Sequence, residues 1–251
     1  GNGHGSYWDV KKKTPFPADN PKRMRSLRKD SVAFVNKYAG EQPFFLMVSH
    51  YAAHIPHLAT KETFERNKKR WIEEGRDTKD IDVEKSSVHR DVIYAAMIEE
   101  MDMNVGALID ALESKDELDN TYIIFTSDNG GGHSRREKVD GENCRFNGPL
   151  QEGKRSIYEG GIRVPLIVKW PGKIKAGSTS DYRTGLEDWL PTVLDLIGAS
   201  NPTPNNIDGI SIAPTLLGIW APPGNSKYLD SRSSLPFGFD PRSWRTPRAA
   251  E

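Results

Sequence analysis

The sequence has 251 residues, and its 35 Lys and Arg balance its 35 Asp and Glu to a formal net charge of zero. That balance argues against an electrostatic nucleic-acid binder, which would carry a basic excess. Hydrophobic residues make up 36% and aromatic residues 9% of the chain, too large an apolar share for wholesale disorder. No apolar run approaches the roughly 18 residues of a membrane-spanning helix. The composition therefore predicts a folded chain with neither a membrane span nor a nucleic-acid partner.

The first half of the chain begins with a loop and then predicts helix and strand in turn. Residues 1–29 are rich in Gly, Pro and basic side chains without an apolar period, which is typical of a loop. Residues 30–38 place their apolar side chains on one helical face. The continuous apolar run 44–49 predicts a strand of a parallel sheet that is covered on both faces. Charged residues dominate 61–85, which predicts a surface excursion that is partly helical around 64–71.

The second half of the chain continues the alternation of helices and strands. Apolar residues recur at spacings of three to five between 87 and 113, which predicts a long amphipathic helix. Residues 121–126 and 164–170 are rich in β-branched and aromatic side chains and predict strands. Residues 186–197 predict a further helix that ends before a glycine. This order predicts an α/β fold with a mostly parallel central sheet flanked by helices.

The two ends of the sequence differ from those of a complete domain. The chain begins Gly-Asn-Gly-His-Gly, with neither an initiator Met nor a signal peptide, and we expect that it is truncated there. Residues 219–251 are rich in Pro, Ser and Arg and show neither strand alternation nor a helical period. We expect this tail to be irregular, either disordered or the product of a truncated or frameshifted reading.

Asp128 and Asn129 directly follow the predicted strand 121–126 and precede three glycines. Doubly wound folds bind ligands at the carboxyl ends of their strands. Carboxylate and amide oxygens are hard donors that suit Ca²⁺ or Mg²⁺. On this segment alone, a simple Asp-Asn-Gly turn is the stronger interpretation.

Three of the six histidines, His50, His54 and His57, follow the predicted strand 44–49. Their spacing permits zinc, but no cysteine partner or helical His-Glu-x-x-His pattern accompanies them. Imidazoles at a strand end could equally bind an anion or act as a general acid. Loop histidines with ordinary hydrogen bonds are the alternative.

Residues 153–165 form a basic, glycine-flanked segment that leads into the strand 164–170. Lys154 and Arg163 could hold a cluster of anionic oxygens, and the glycines would let the backbone approach closely. The segment lacks the strand-loop-helix context and the Lys-Ser/Thr ending of a P-loop. A surface loop is the alternative.

Taken in order, these segments resemble the sulfatases of the alkaline-phosphatase superfamily. The resemblance rests on four stretches, which are 44–56 (FFLMVSHYAAHIP), 94–112 (YAAMIEEMDMNVGALIDAL), 121–131 (TYIIFTSDNGG) and 148–172 (GPLQEGKRSIYEGGIRVPLIVKWPG). Residues 188–198 and 208–218 also match the order of the family. The resemblance identifies residues 1–218 as a partial sulfatase catalytic domain.

The resemblance assigns roles to the candidate residues. It implies that Asp128 and Asn129 are two ligands of a Ca²⁺ ion, although oxygen ligands alone suit Mg²⁺ as well. It implies that His54 serves the sulfate group and the leaving-group oxygen, and that Lys154 binds the sulfate oxygens. A divalent cation, a lysine and a proton-donating imidazole would stabilise the charge that develops when a sulfate monoester is cleaved.

Three motifs that the resemblance implies are absent from this sequence. The family's nucleophile is a formylglycine made from a cysteine or serine in a C-x-P-S/T-R context, with a paired-Asp motif before it and a G-K-W-H loop after it. The single cysteine, Cys144, is followed by Arg-Phe-Asn and does not match. It also excludes an intrachain disulfide. We therefore expect a sulfatase fragment that lacks its N-terminal third and is itself inactive.

The resemblance implies that the full-length protein is a sulfuric ester hydrolase, similar to arylsulfatases, that releases inorganic sulfate. The substrate would be a sulfated small molecule or a sulfated carbohydrate, and the protein would be exported. A phosphodiesterase or phosphonate hydrolase of the same superfamily stays open. A non-catalytic anion-binding or carbohydrate-binding relic, which would not depend on a metal, stays open as well.

Overall fold

The structure is a computed structural model that describes residues 19–55, 57–76, 92–132, 138–139, 142–143, 147–199 and 207–218. Several predictions lie outside these residues. They concern residues 1–18, the segment 77–91, Cys144 and the tail 219–251. The chain divides into two compact units, Gly1–Ile167 and Val168–Glu251.

Helices dominate the described residues. The elements in chain order are α1 (Met24–Tyr38), α2 (Lys61–Glu73), α3 (Val92–Glu113), β1 (Ile123–Thr126), β2 (Lys138–Val139), β3 (Glu142–Asn143), α4 (Glu159–Ile162), β4 (Leu166–Lys169), α5 (Trp189–Leu196) and α6 (Ala213–Leu216). Short 3₁₀ turns, Pro21–Arg23 and Leu186–Asp188, precede α1 and α5. No helix among the described residues is long and apolar enough to cross a membrane.

The core of the first unit lies between α1 and α3. Val35 and Ala39 of α1 and its end pack with Ala111 and Leu112 of α3, and all four are buried. The predicted helix 30–38 is confirmed but begins earlier, at Met24. The side chain of Asn20 explains the earlier start, because its Oδ1 accepts the first-turn amides of Arg25 at 3.0 Å and Ser26 at 3.2 Å.

A buried carboxylate on α3 anchors the start of α2. Glu100 is only 7% exposed, and its Oε1 accepts the backbone N–H of Thr60 at 2.7 Å and the hydroxyl of Thr63 at 2.6 Å. These donors belong to the N-terminal turn of α2, where backbone amides have no partner within the helix. The charged segment that begins at Lys61 therefore starts as an ordered helix, longer than the predicted 64–71.

The predicted strand 44–49 is not observed. Phe44 and Leu46 pack against the core, whereas Phe45 and Met47 are 77% and 75% exposed. The structure assigns no strand there, because a strand needs a hydrogen-bonded neighbour and none of the described residues pairs with this segment. Within the described residues, one face of this apolar segment therefore packs against the core, and the other face is exposed.

The other two predicted strands are confirmed in shortened form. β1 and β4 are hydrogen-bonded neighbours in a two-stranded sheet. β2 and β3 pair antiparallel, with Lys138 opposite Asn143 and Val139 opposite Glu142.

In the second unit, a buried aspartate holds the predicted helix 186–197, which is observed as a 3₁₀ turn followed by α5. Asp188 is fully buried. Its carboxylate accepts the N–H of Gly185 and the hydroxyl of Thr184, both at 2.8 Å, and the N–H of Ile210 at 3.0 Å. Three donors on one buried carboxylate join the turn to the segment before α6.

Replacing Glu100 by alanine should lower the free energy of unfolding by about 2–4 kcal/mol, because two buried donors lose their acceptor. Glu100→Gln keeps an oxygen acceptor and should lose clearly less. Urea unfolding followed by circular dichroism measures both variants. Equal losses for the two would contradict an anchoring role for the carboxylate oxygens.

Candidate active site

The end of β1 presents two oxygen-bearing side chains. Asp128 is exposed and Asn129 is half-buried, directly after the strand. The side-chain amide of Asn129 donates to the carbonyl of Gly130 at 2.9 Å, so that its Oδ1 stays available to a ligand. Ser127 donates to the carbonyl of Asn129 at 3.1 Å, which tightens the turn. The turn predicted from the sequence is therefore the same segment that carries the two oxygen-bearing side chains.

Two glycine-rich segments cross at this point and fix the backbone of Lys154. The N–H of Lys154 donates to the carbonyl of Gly131 at 2.8 Å, and the N–H of Gly130 donates to the carbonyl of Gly161 at 2.9 Å. A Cβ on Gly130 would overlap the carbonyl of Gly160, and a Cβ on Gly161 would overlap the carbonyl of Ser156. Glycine is required at Gly130 because the two backbones touch there, and at Gly161 because its own segment folds back onto it.

Asn147 ties the same two segments together from the side. Its Nδ2 donates to the carbonyl of Gly131 at 3.2 Å and to the carbonyl of Glu152 at 3.0 Å. This residue is not among the candidates predicted from the sequence. Its position before Gly148 and Pro149 indicates a turn, but no local pattern shows where its amide donates.

His54 stands in the electrostatic field of the other candidate residues. Its Nδ1 lies 2.9 Å from the carbonyl of Ile55, and since a carbonyl only accepts, Nδ1 carries the proton and Nε2 titrates. The pKa of His54 lies below its ordinary value, first because of desolvation by the surrounding protein and then because of Lys154, Lys22 and Arg155, while Asp128 acts in the opposite direction. His54 therefore lies within electrostatic range of both Lys154 and Asp128.

The other two histidines have different surroundings. His57 is fully buried, and its ring packs 4.9 Å from that of Tyr94 at a 60° tilt, which is a core contact. His50 is half-buried, and desolvation by burial lowers its pKa. No group of three His, Cys, Asp or Glu side chains that could hold a metal occurs in the part of the chain that the structure describes. The zinc interpretation of the three histidines therefore has no support in the described residues.

The cations of the Lys154 loop also differ from the sequence interpretation. Arg163 forms an ion pair with Glu159 at 3.1 Å on the surface. Arg155 is the second cation of this loop that acts on His54. Its backbone is in the left-handed region, with φ 78°, and this conformation carries no signal in the sequence because a non-glycine residue rarely adopts it.

The donor chemistry of Asp128 and Asn129 fits an oxygen-preferring divalent cation. The two residues would supply two of the roughly six to eight oxygens that Ca²⁺ binds. Among the described residues, Asp128 does not belong to any group of three His, Cys, Asp or Glu side chains that could hold a metal.

Comparisons with known proteins show the family of the chain. A family model described as Sulfatase matches residues 1–199. Human N-acetylgalactosamine-6-sulfatase is 30% identical over 188 residues, which are 75% of this chain and 31% of that protein. Human arylsulfatase D is 31% identical over 209 residues, which are 83% of this chain and 31% of that protein. The crystal structure of Ps i-CgsB in complex with k-i-k-neocarrahexaose has a TM-score of 0.60 at 31% identity and covers 78% of this chain and 38% of that chain.

These matches define the fold as the alkaline-phosphatase-like α/β fold predicted from the sequence. The chain belongs to the sulfatase family. It spans 31% of the length of the two curated relatives.

Replacing Gly161 by alanine should destabilise the first unit by about 1–3 kcal/mol, because the new methyl group meets backbone that has no rotamer to adjust. Gly106→Ala is the matched control. Gly106 lies in α3 with open space around its Cβ position, so the same change should be neutral or stabilise by up to about 1 kcal/mol. Urea unfolding of both variants tests the contact, and equal effects would contradict it.

Neutralising Lys154 should raise the pKa of His54, because a nearby positive charge disfavours the imidazolium form. Lys154→Gln is the test, and Lys154→Arg, which keeps the charge, should leave this pKa nearly unchanged. Lys115→Gln removes an exposed lysine that does not act on His54 and serves as the control. Titration of the imidazole nitrogen signals by NMR measures the shift. An unchanged pKa in Lys154→Gln would show that the two side chains do not meet.

Proposed function

We propose that the protein to which this chain belongs is a sulfuric ester hydrolase that releases inorganic sulfate from a sulfate monoester. The observation that carries this proposal is the backbone hydrogen bond that joins Lys154 to the segment after Asp128 and Asn129, with His54 in electrostatic range of both Lys154 and Asp128. The names of the sulfatase relatives support it. None of these matches favours the two alternatives, which are a phosphodiesterase or phosphonate hydrolase and a non-catalytic binding relic.

Each residue has a role that its chemistry allows. The ammonium group of Lys154 binds the sulfate oxygens and offsets their charge. The imidazolium form of His54 donates its Nε2 proton to the departing ester oxygen, which gains charge as the bond to sulfur breaks. The crossing of the two glycine segments holds Lys154 in place through the backbone, so that little reorganisation is needed during the reaction.

Asp128 and Asn129 would hold a Ca²⁺ ion, with Mg²⁺ as the alternative. A bound divalent cation would supply positive charge for the sulfate group and the nucleophile. The nucleophile is proposed to be a formylglycine in a part of the protein outside this sequence, because no C-x-P-S/T-R segment occurs in it.

The proposed substrate is a sulfated carbohydrate. Two of the matches support this class, since one relative is named for N-acetylgalactosamine 6-sulfate chemistry and one structure holds neocarrahexaose. A sulfated small molecule such as an aryl sulfate is the second substrate class, supported by arylsulfatase D. We also propose that the protein is exported, in line with the family resemblance.

Sulfate release by the complete protein, expressed from its whole reading frame, tests the proposal. Lys154→Ala and His54→Ala should each lower kcat/KM by about 10²–10⁴ on N-acetylgalactosamine 6-sulfate or sulfated galactan oligosaccharides. Lys115→Ala should leave it unchanged, and chelation followed by Ca²⁺ addition should abolish and restore turnover. The 251-residue chain alone should release no sulfate. Cleavage of phosphate diesters without sulfate release would favour the phosphodiesterase, and metal-independent binding without turnover would favour the relic.

A further inference from the structure

A buried lysine that belongs to none of the sequence motifs contacts the backbone of His54. Lys22 is 1% exposed, although lysine is rarely buried without a compensating contact. Its Nζ donates to the backbone carbonyl of His54 at 2.7 Å. Burial lowers the pKa of Lys22 to about 8. This lysine therefore contacts the loop of a candidate catalytic residue from the protein interior.

The backbone that carries Lys22 is held in an unusual conformation. Lys22 and Arg23 have φ values of 54° and 56°, in the left-handed region that non-glycine residues rarely adopt. The surrounding structure fixes this turn on the side of α1, since Asn20 accepts the first amides of that helix. It also fixes it from α3, since Asn104 donates to the carbonyl of Met24 at 3.0 Å. Strained backbone that is fixed from several directions often occurs at functional sites.

Stability alone does not account for a lysine at this position. Replacing a buried charge by an apolar side chain of similar volume is often neutral or stabilising. What Lys22 specifically provides is a hydrogen bond that holds the backbone of His54, the residue that carries the imidazole.

We infer that Lys22 is a positioning residue of the site, whose ammonium group fixes the His54 backbone so that the imidazole faces the oxygen that leaves the sulfate. Lys22 is too buried to touch substrate and acts through His54. This inference rests on the proposed sulfatase function. Four charged groups face the ring, which are Lys22 from the turn before α1, Lys154 and Arg155 from the loop before α4, and Asp128 from the end of β1.

Lys22→Met is the principal test because it keeps the volume and removes the donor. In the complete protein it should lower kcat on the sulfated substrate by about 10- to 100-fold, the effect of misplacing a catalytic group by about 1 Å. KM should stay within about threefold, since Lys154 still binds the sulfate. Lys22→Arg, which keeps a charged donor, should recover most of the lost kcat. Lys37→Met removes an exposed lysine of α1 and should change neither constant.

A second readout on the 251-residue chain separates this inference from the proposed function. In Lys22→Met, the His54 ring signals should shift and the pKa of His54 should rise, because one of the three cations that lower it is lost. If the wild-type protein releases no sulfate while these shifts occur, the proposed function fails and the contact stands. If sulfate is released but Lys22→Met matches the wild type in kcat and in the His54 signals, the inference is wrong.

Lys22→Gln keeps the test decisive if Lys22→Met does not fold. Its amide is uncharged and shorter than the lysine side chain, so it should also lower kcat and raise the pKa of His54. A loss of activity that only follows the unfolded fraction, measured by circular dichroism on the same samples, would indicate a structural role and overturn the inference. A folded Lys22→Gln variant with wild-type kcat and His54 pKa would overturn it too.

Discussion

The contact on which the site depends is made without side chains. Where the segment after β1 meets α4, the two backbones approach so closely that only glycine fits at Gly130, whose Cβ would overlap the carbonyl of Gly160. The hydrogen bonds across this contact join the oxygen donors Asp128 and Asn129 to the cation Lys154 in one rigid frame. A contact between flexible side chains would leave the distance between these two segments variable, whereas hydrogen bonds between their backbones fix it.

Charge around His54 is unbalanced in a way that suits an anion. Lys22, Lys154 and Arg155 act on the ring as cations, and Asp128 acts as the single anion. Like charges gathered at one point repel one another, and a bound anion with oxygens on several sides relieves that repulsion. A divalent cation at Asp128 and Asn129 would remove the effect of that carboxylate and increase the preference for an anion. The arrangement therefore favours a tetrahedral oxyanion over a neutral ligand.

Local periodicity predicted the helices because burial of one face recurs every three to four residues, and α1 and α3 follow that pattern. It failed for residues 44–49, since an apolar run does not show whether a partner strand is present. Asp128, His54 and Lys154 were predicted because several short motifs occur in a fixed order. The contacts of Lys22 and Asn147 could not be predicted, because each joins segments that are distant in the sequence.

The low pKa of His54 is compatible with a role as proton donor once the substrate is considered. In the unliganded site, desolvation and then the cations disfavour the imidazolium form and hold the pKa of His54 below its ordinary value. A sulfate monoester brings negative charge next to Lys154 and offsets those cations, and the pKa of His54 then rises toward the value that a general acid needs. In the proposed mechanism, binding of the anion and protonation of His54 are thus coupled, and the ring would carry its proton when an ester oxygen is there to receive it.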